Sequence, residues 1–190
     1  MLARGTLRGV LRFPDPPLAD DAITLRPKTP ADADALFAAC QDPEIPRWTR
    51  VPRPYRREHA LEWIEGSGDG LAKGTSIDWL AVDAEGSVLA SVGLMDIDSE
   101  RGYGEIGYWV AREARGRGVA TRAVRLVRDW AHRALGLATV EIMVHEENHP
   151  SRAVARAAGF EELPGRRSSP RDGVHEGDYV VHVSRAPSSA

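Results

Sequence analysis

Apolar and polar positions along the chain follow two periods, and the switches between them divide it into strands and helices. After a proline-rich lead-in ending near Asp21, Ile23 to Pro27 (ITLRP) reads as a first strand. Thr29, Pro30 and Asp32 then supply an N-cap, a first-turn proline and an acid near the helix start, which predicts a helix to about Gln41. Asp42 to Tyr55 (DPEIPRWTRVPRPY) holds four prolines, which predict irregular chain and leave Trp48 and Tyr55 available to line a cavity. A second helix is expected over about Arg57 to Glu65, ended by the loop GSGDGLAKG. IDWLAVDA and VLASVGLMDI, separated by the turn residues Glu85 and Gly86, read as a hairpin, and Tyr103 to Ala111 reads as a further strand.

From Arg117 the period changes. Ala120, Ala123, Val124, Val127, Ala131 and Ala134 share one face while Arg122, Arg125, Asp129 and Arg133 fall on others, the pattern of a helix packed on a sheet. Val140, Ile142 and Val144 alternate in Ala138 to Val144, which returns to strand. A helix from about Pro150 to Ala158 ends at Gly159, and Asp178 to Ser184 supplies a closing strand. This organisation predicts an extension over residues 1–22, one domain over 23–185 and a disordered tail over 186–190, with no internal repeat.

Composition narrows the function classes. A hydrophobic fraction of 42%, a charged fraction of 28% and a formal net charge of -3 describe an ordinary globular chain with no general affinity for polyanions, so nucleic acid is not an expected partner. Arginines outnumber the two lysines, Lys28 and Lys73, so an arginine counts as functional only where its surroundings add something. Cys40 stands alone, which excludes an intramolecular disulfide and reads as a small buried helical residue. Arg4, Arg8 and Arg12 interrupt any apolar run near the start, and no stretch approaches the roughly 20 apolar residues of a membrane span. A cytoplasmic protein with no membrane partner is the expectation.

His145, Glu146 and His149 fit the HExxH spelling of a zinc hydrolase. That chemistry needs both histidines one turn apart on a continuous helix, whereas the residues before His145 form a strand and Pro150 disfavours helical angles at His149. HEENHP is therefore expected to be a strand-to-helix junction, with no metal.

The stronger signal is Arg115 to Ala120 (RGRGVA), between a strand and an amphipathic helix. Gly116 and Gly118 let backbone approach a ligand, and the helix start offers amide N–H groups and a positive dipole end. Arg112, Arg115, Arg117 and Arg122 would be unfavourable at a helix N-terminus unless an anion such as a diphosphate joined them. A tight turn beside incidental arginines would leave the same residues. The spelling fits neither GxxxxGK[ST] nor GxGxxG.

These residues resemble the GNAT superfamily of acyl-CoA-dependent N-acetyltransferases, whose phosphate motif is (Arg or Gln)-x-x-Gly-x-(Gly or Ala). Arg115, Gly118 and Ala120 match it. GEIGYWV before the loop and Asn148 to Phe160 (NHPSRAVARAAGF) after the next strand are the companion pieces, and LRPKTPADADALF is similar to the branch named for RimJ and RimL. The resemblance spans roughly Ile23 to Arg185. It implies an α/β (α+β) fold with a mixed, mostly antiparallel central sheet flanked by helices and splayed between the fourth and fifth strands. It implies acetyl-CoA as co-substrate, its arm beside the backbone of Tyr108, Trp109 and Val110, and its diphosphate on the amides of Arg117, Gly118, Val119 and Ala120, with Gly116 and Thr121 alongside.

The same resemblance implies direct attack by an amine on the acetyl carbonyl without a covalent enzyme intermediate. Glu105 matches the strand position of a general base, and could equally be a strand residue that holds a positive substrate. Asn148 matches an asparagine that contacts the cofactor arm, with a plain helix N-cap as the alternative. Ser151 matches the serine assigned in RimL-like enzymes to protonate the departing thiolate, with first-turn capping as the alternative. The chain departs from many members in having no tyrosine between Asn148 and Asp178, and the RimL-like acidic position aligns with Pro170 or Arg171, beside Asp172, His175 and Glu176. Trp48, Tyr55 and Glu105 are the candidate acceptor residues, and a protein or peptide α-amine is the favoured acceptor. The competing readings are a small-molecule or antibiotic amine and a non-catalytic acyl-CoA sensor, and a homodimer would be unsurprising for such a domain.

Overall fold

The computed structural model describes residues 11–168 and 178–187. Strand β1 (Thr24–Arg26) leads through a 3-10 turn (Pro30–Asp32) into α1 (Ala33–Ala39). Thr29 is the N-cap residue expected, and Asp32 reaches back to it, since Thr29 N donates to Asp32 Oδ2 at 2.7 Å, while Arg26 Nη2 donates to Asp32 Oδ1 at 2.6 Å. Next come α2 (Glu44–Trp48), α3 (Arg57–Lys73), β2 (Ile77–Val82), β3 (Val88–Asp98) and β4 (Tyr103–Val110). A 3-10 turn (Arg112–Ala114) precedes α4 (Val119–Arg133), followed by β5 (Thr139–His145), α5 (His149–Ala157), β6 (Glu161–Glu162), β7 (Arg167–Ser168) and β8 (Asp178–Arg185).

The strands form one mixed sheet in the order β1-β2-β3-β4-β5-β8-β6, with β7 also on β8. Neighbours are antiparallel except β4 and β5, which run parallel. That pair holds only from Tyr103↔Thr139 to Glu105↔Glu141, whereas β3 follows β4 to Val110 and β8 follows β5 to His145. The sheet is thus split from Ile106 onward, at the expected place. α4 lies on β3 and β4 through Ala123, Val124, Val127 and Ala131, all at most 1% exposed. Before β1, Leu11 is buried and Phe13 packs edge-on against Trp79 at 5.9 Å, so the described part of the lead-in joins the core.

Two helix expectations are corrected. Asp42 to Tyr55 is not wholly irregular, because Pro43 occupies the N-cap of α2 and Pro46 its first turn, where an amide has no intrahelical acceptor to lose. The second helix does not stop at Glu65 but runs through Gly66, Gly68 and Gly70 to a left-handed Gly74, φ 71°. Each glycine costs about 1 kcal/mol against alanine. Burial of apolar side chains contributes about 1.5–3 kcal/mol each, and Leu61, Trp63, Ile64 and Leu71 of α3 all pack on the core, so tertiary contact wins over local propensity. At Gly70 a Cβ would crowd the Ser76 hydroxyl, which would have to rotate aside. The short strands β6 and β7 carry too few residues to show a period, and periodicity did not predict them. The tail from residue 188 and the segment holding Pro170, Arg171, Asp172, His175 and Glu176 lie outside the described residues.

Candidate active site

The split between β4 and β5 opens into a cavity of about 990 Å³. One wall is backbone. Beyond Val110 the chain makes its 3-10 turn, then takes left-handed conformations at Gly116 (φ 73°) and Gly118 (φ 76°) before entering α4. A Cβ at either glycine would meet nothing within 4 Å, so the surface above the loop is open. Gly118 is the N-cap residue and has no side chain to fold back, so helix geometry leaves the amides of Val119, Ala120 and Thr121 without intrahelical acceptors. All three residues line the cavity.

The arginines contribute less than the sequence pattern implies. Arg115 Nη2 is 2.7 Å from Asp42 Oδ2 and donates to the Val110 carbonyl at 3.2 Å, which ties the loop to the end of β4 and to the chain before α2. Arg122 is paired with Asp20 at 2.8 Å and Asp21 at 2.5 Å. Arg112 and Arg117 are exposed and outside the cavity wall. The positive potential for an anion is therefore mainly that of the amides and helix end.

Across the split, Asn148 caps α5, its Oδ1 accepting from Ser151 N at 3.2 Å. Capping and a place on the cavity wall are both realised in Asn148. Ser151 Oγ lies 2.7 Å from Tyr108 Oη, a contact between α5 and the middle of the split half of β4. Burial pushes the Tyr108 phenol up to about 12, opposed by its bond to Ser151.

Glu105 stands where the strands part, in register with Glu141. Burial is the main cause that pushes its carboxyl up to about 7; Glu141 adds to the rise, while Arg50 and Arg167 oppose it. Glu141 is itself held by Tyr103 Oη at 3.2 Å and Arg167 Nη1 at 3.0 Å. Trp48 at the end of α2 donates from Nε1 to Glu44 Oε2 at 3.1 Å and lies tilted against His145 at 5.4 Å, and His145 meets Tyr179 edge-on at 5.5 Å. Tyr55 lies against His59 at 5.6 Å. Cys40 also reaches the wall, but burial raises its thiol to about 12, which leaves it an unreactive packing residue. At the far end Asp78 lies over Gly93, where a Cβ would be 2.3 Å from its Oδ1. Behind Asp78, the Lys28 ammonium is 1% exposed, 3.5 Å from Oδ2 and 3.8 Å from the centre of the Trp63 ring.

The loop, read from its glycines, and Glu105, Asn148 and Ser151, read from the family resemblance, are all brought to one cavity by the fold. Sequence reasoning misses Glu141, Tyr179 and the hydroxyl of Tyr108, whose importance lies in which residue they face across the sheet. His145 and His149 sit on different elements, the end of β5 and the start of α5, and Glu146 is paired with Arg166 at 3.2 Å. HEENHP is the strand-to-helix junction expected. No helix among the described residues is long and apolar enough to cross a membrane.

The acetyltransferase (GNAT) domain family matches residues 22–161. YdaF of Bacillus subtilis, provisionally designated a ribosomal N-acetyltransferase, is 35% identical over 166 residues, covering 82% of this chain and 85% of that protein. The uncharacterized N-acetyltransferase p20 of Bacillus licheniformis is 29% identical over 146 residues, covering 76% and 82%. Mycobacterium smegmatis RimJ, solved in complex with a CoA disulfide, superposes with a TM-score of 0.74 at 22% identity, over 86% of this chain and 82% of that one. The open amide row at the start of α4, the split sheet beside it and these matches agree: the chain belongs to the GNAT family and is an acetyl-CoA-dependent N-acetyltransferase.

Proposed function

We propose that this enzyme acetylates an α-amine, or another primary amine of low pKa, presented by a protein or peptide. Acetyl-CoA supplies the acetyl group as a thioester. Its diphosphate fits the amides of Val119, Ala120 and Thr121 with Gly116, Gly118 and the exposed Arg112 and Arg117 around them, and its arm fits the backbone edge of Tyr108, Trp109 and Val110 that β5 leaves open. Asn148 borders that arm, and the Ser151 hydroxyl meets the departing sulfur. Trp48 and Tyr55 form the acceptor wall, and Glu105 takes the amine proton directly or through one water.

The observation that carries the reading is Glu105 at the fork of the sheet, poised near neutrality beside the open edge of β4. A base of that strength suits one kind of amine. At pH 7 a lysine amine with pKa ~10.4 requires about 4.6 kcal/mol to reach its neutral form, whereas an α-amine with pKa ~8 requires about 1.4 kcal/mol. The name carried by YdaF also supports a protein acceptor. The test compares peptides with a free N-terminus and blocked lysines against peptides blocked at the N-terminus with free lysines. Faster thiol release with the first set is expected; faster release with the second overturns the preference.

A further inference from the structure

Tyr108 and Ser151 come from opposite sides of the split, β4 and α5, and their hydroxyls close to 2.7 Å where both line the cavity. Ser151 is fixed twice more, by its amide on Asn148 Oδ1 at 3.2 Å and by its place in the first turn of α5. The Tyr108 hydroxyl has two partners within reach, Ser151 Oγ at 2.7 Å, where either oxygen can donate, and the Ser151 carbonyl at 3.4 Å. The shorter contact is the effective one. We propose that Tyr108 is a positioning residue: it donates to Ser151 Oγ and so aims the serine proton at the sulfur that leaves, which makes the serine hydroxyl the group that meets the thiolate. This assignment rests on the acetyl-CoA reading of the cavity.

The electron count needs no proton from either hydroxyl. The amine lone pair forms the new C–N bond, Glu105 removes the amine proton, and the C–S bond breaks with its pair on sulfur. A thiol has pKa ~8.5, far below an aliphatic alcohol, so Ser151 stabilises the thiolate by a charge-assisted hydrogen bond and keeps its proton. Solvent protonates the sulfur after release. Tyr108 must remain a donor throughout, and burial of its phenol keeps it protonated well past neutrality. Tyr108 thus reaches the first turn of α5 from β4 across the split.

The test titrates the thiol of CoA bound to the full-length enzyme by its ultraviolet thiolate absorbance, and measures turnover in parallel. In the wild type the bound thiol should ionise below free CoA. Tyr108→Phe should raise that midpoint by about one pH unit, a tenfold loss of preference for the thiolate. It should also lower kcat about tenfold with the KM for acetyl-CoA unchanged. Ser151→Ala, which keeps the phenol, should raise the midpoint at least as far, and the double variant should be no worse than Ser151→Ala alone. Equal midpoints in the wild type and either variant, or an additive double variant, overturn the pair while leaving the cofactor site standing. Failure of wild-type enzyme to bind CoA overturns both.

Discussion

The two ends of the cavity are built differently. The end at α4 is a contiguous run, Ala114 to Thr121, in which two left-handed glycines and a bare helix start do the work with main-chain groups. The end at Glu105 is assembled from side chains of β4, β5, β8, α2 and the chain after it, each placed by packing distant in sequence. A backbone site tolerates many side chains but few conformations. A side-chain site tolerates many conformations of the chain between its parts, and changes its chemistry with single substitutions. On the proposed function, donor use is thereby fixed by local fold and acceptor choice by the side-chain end.

The largest effect should come from the backbone end. Gly118→Asp places a carboxylate where the proposed diphosphate lies, at a φ of 76° that aspartate can adopt without unfolding the loop. Calorimetric affinity for CoA should fall about a hundredfold or more with the circular dichroism unchanged. Wild-type affinity would remove the site from this loop.

Next is Glu105→Gln, expected to lower kcat about a hundredfold while CoA affinity holds. In the wild type, kcat/KM should rise with pH through about 7 as the carboxyl ionises, and the glutamine variant should lose that limb. Stability runs the other way. The carboxyl is raised from its ordinary 4.5, so its favourable contribution is complete below that value and is lost as pH rises through about 7. Glu105→Gln should accordingly gain thermal stability relative to the wild type between those limits, measured by melting at pH 5 and pH 8. A pH-independent difference would contradict the environment assigned to Glu105.

Smaller effects should sharpen the contrast. Trp48→Ala removes the ring on His145 and should raise the acceptor KM about tenfold while leaving the KM for acetyl-CoA within about twofold. A matching change in both constants would mean that the two ends are not separate. Asn148→Ala should cost about 1 kcal/mol of stability through its lost cap on Ser151 N and raise the KM for acetyl-CoA a few-fold, read by melting and steady-state kinetics.

The same contrast explains what could be read in advance. RGRGVA and the amphipathic face of α4 are local signals, and so were legible, as were the strand positions of Glu105 and the capping role open to Asn148. The parallel stretch between β4 and β5 is only three residues long and depends on where two distant strands diverge. The sequence therefore could not show that Glu105 faces Glu141 or that Tyr108 reaches Ser151. Nor could it show that Arg115 and Arg122 spend their charge on Asp42, Asp20 and Asp21. The glycines of α3 misled for the opposite reason, since their local cost is real and only the packing of Trp63 and Leu71 outweighs it.

The lysine sealed behind Asp78 bears on the enzyme as a target of its own reaction. Acetylation requires a neutral amine within reach of solvent, and arginine, with a pKa above about 12, is not such a group. Lys28 is buried beneath the Trp63 ring, so the exposed Lys73 at the end of α3 is the one lysine side chain open to modification. A chain that carries nearly all its positive charge on arginine thus offers an acetyl donor a single exposed lysine side chain.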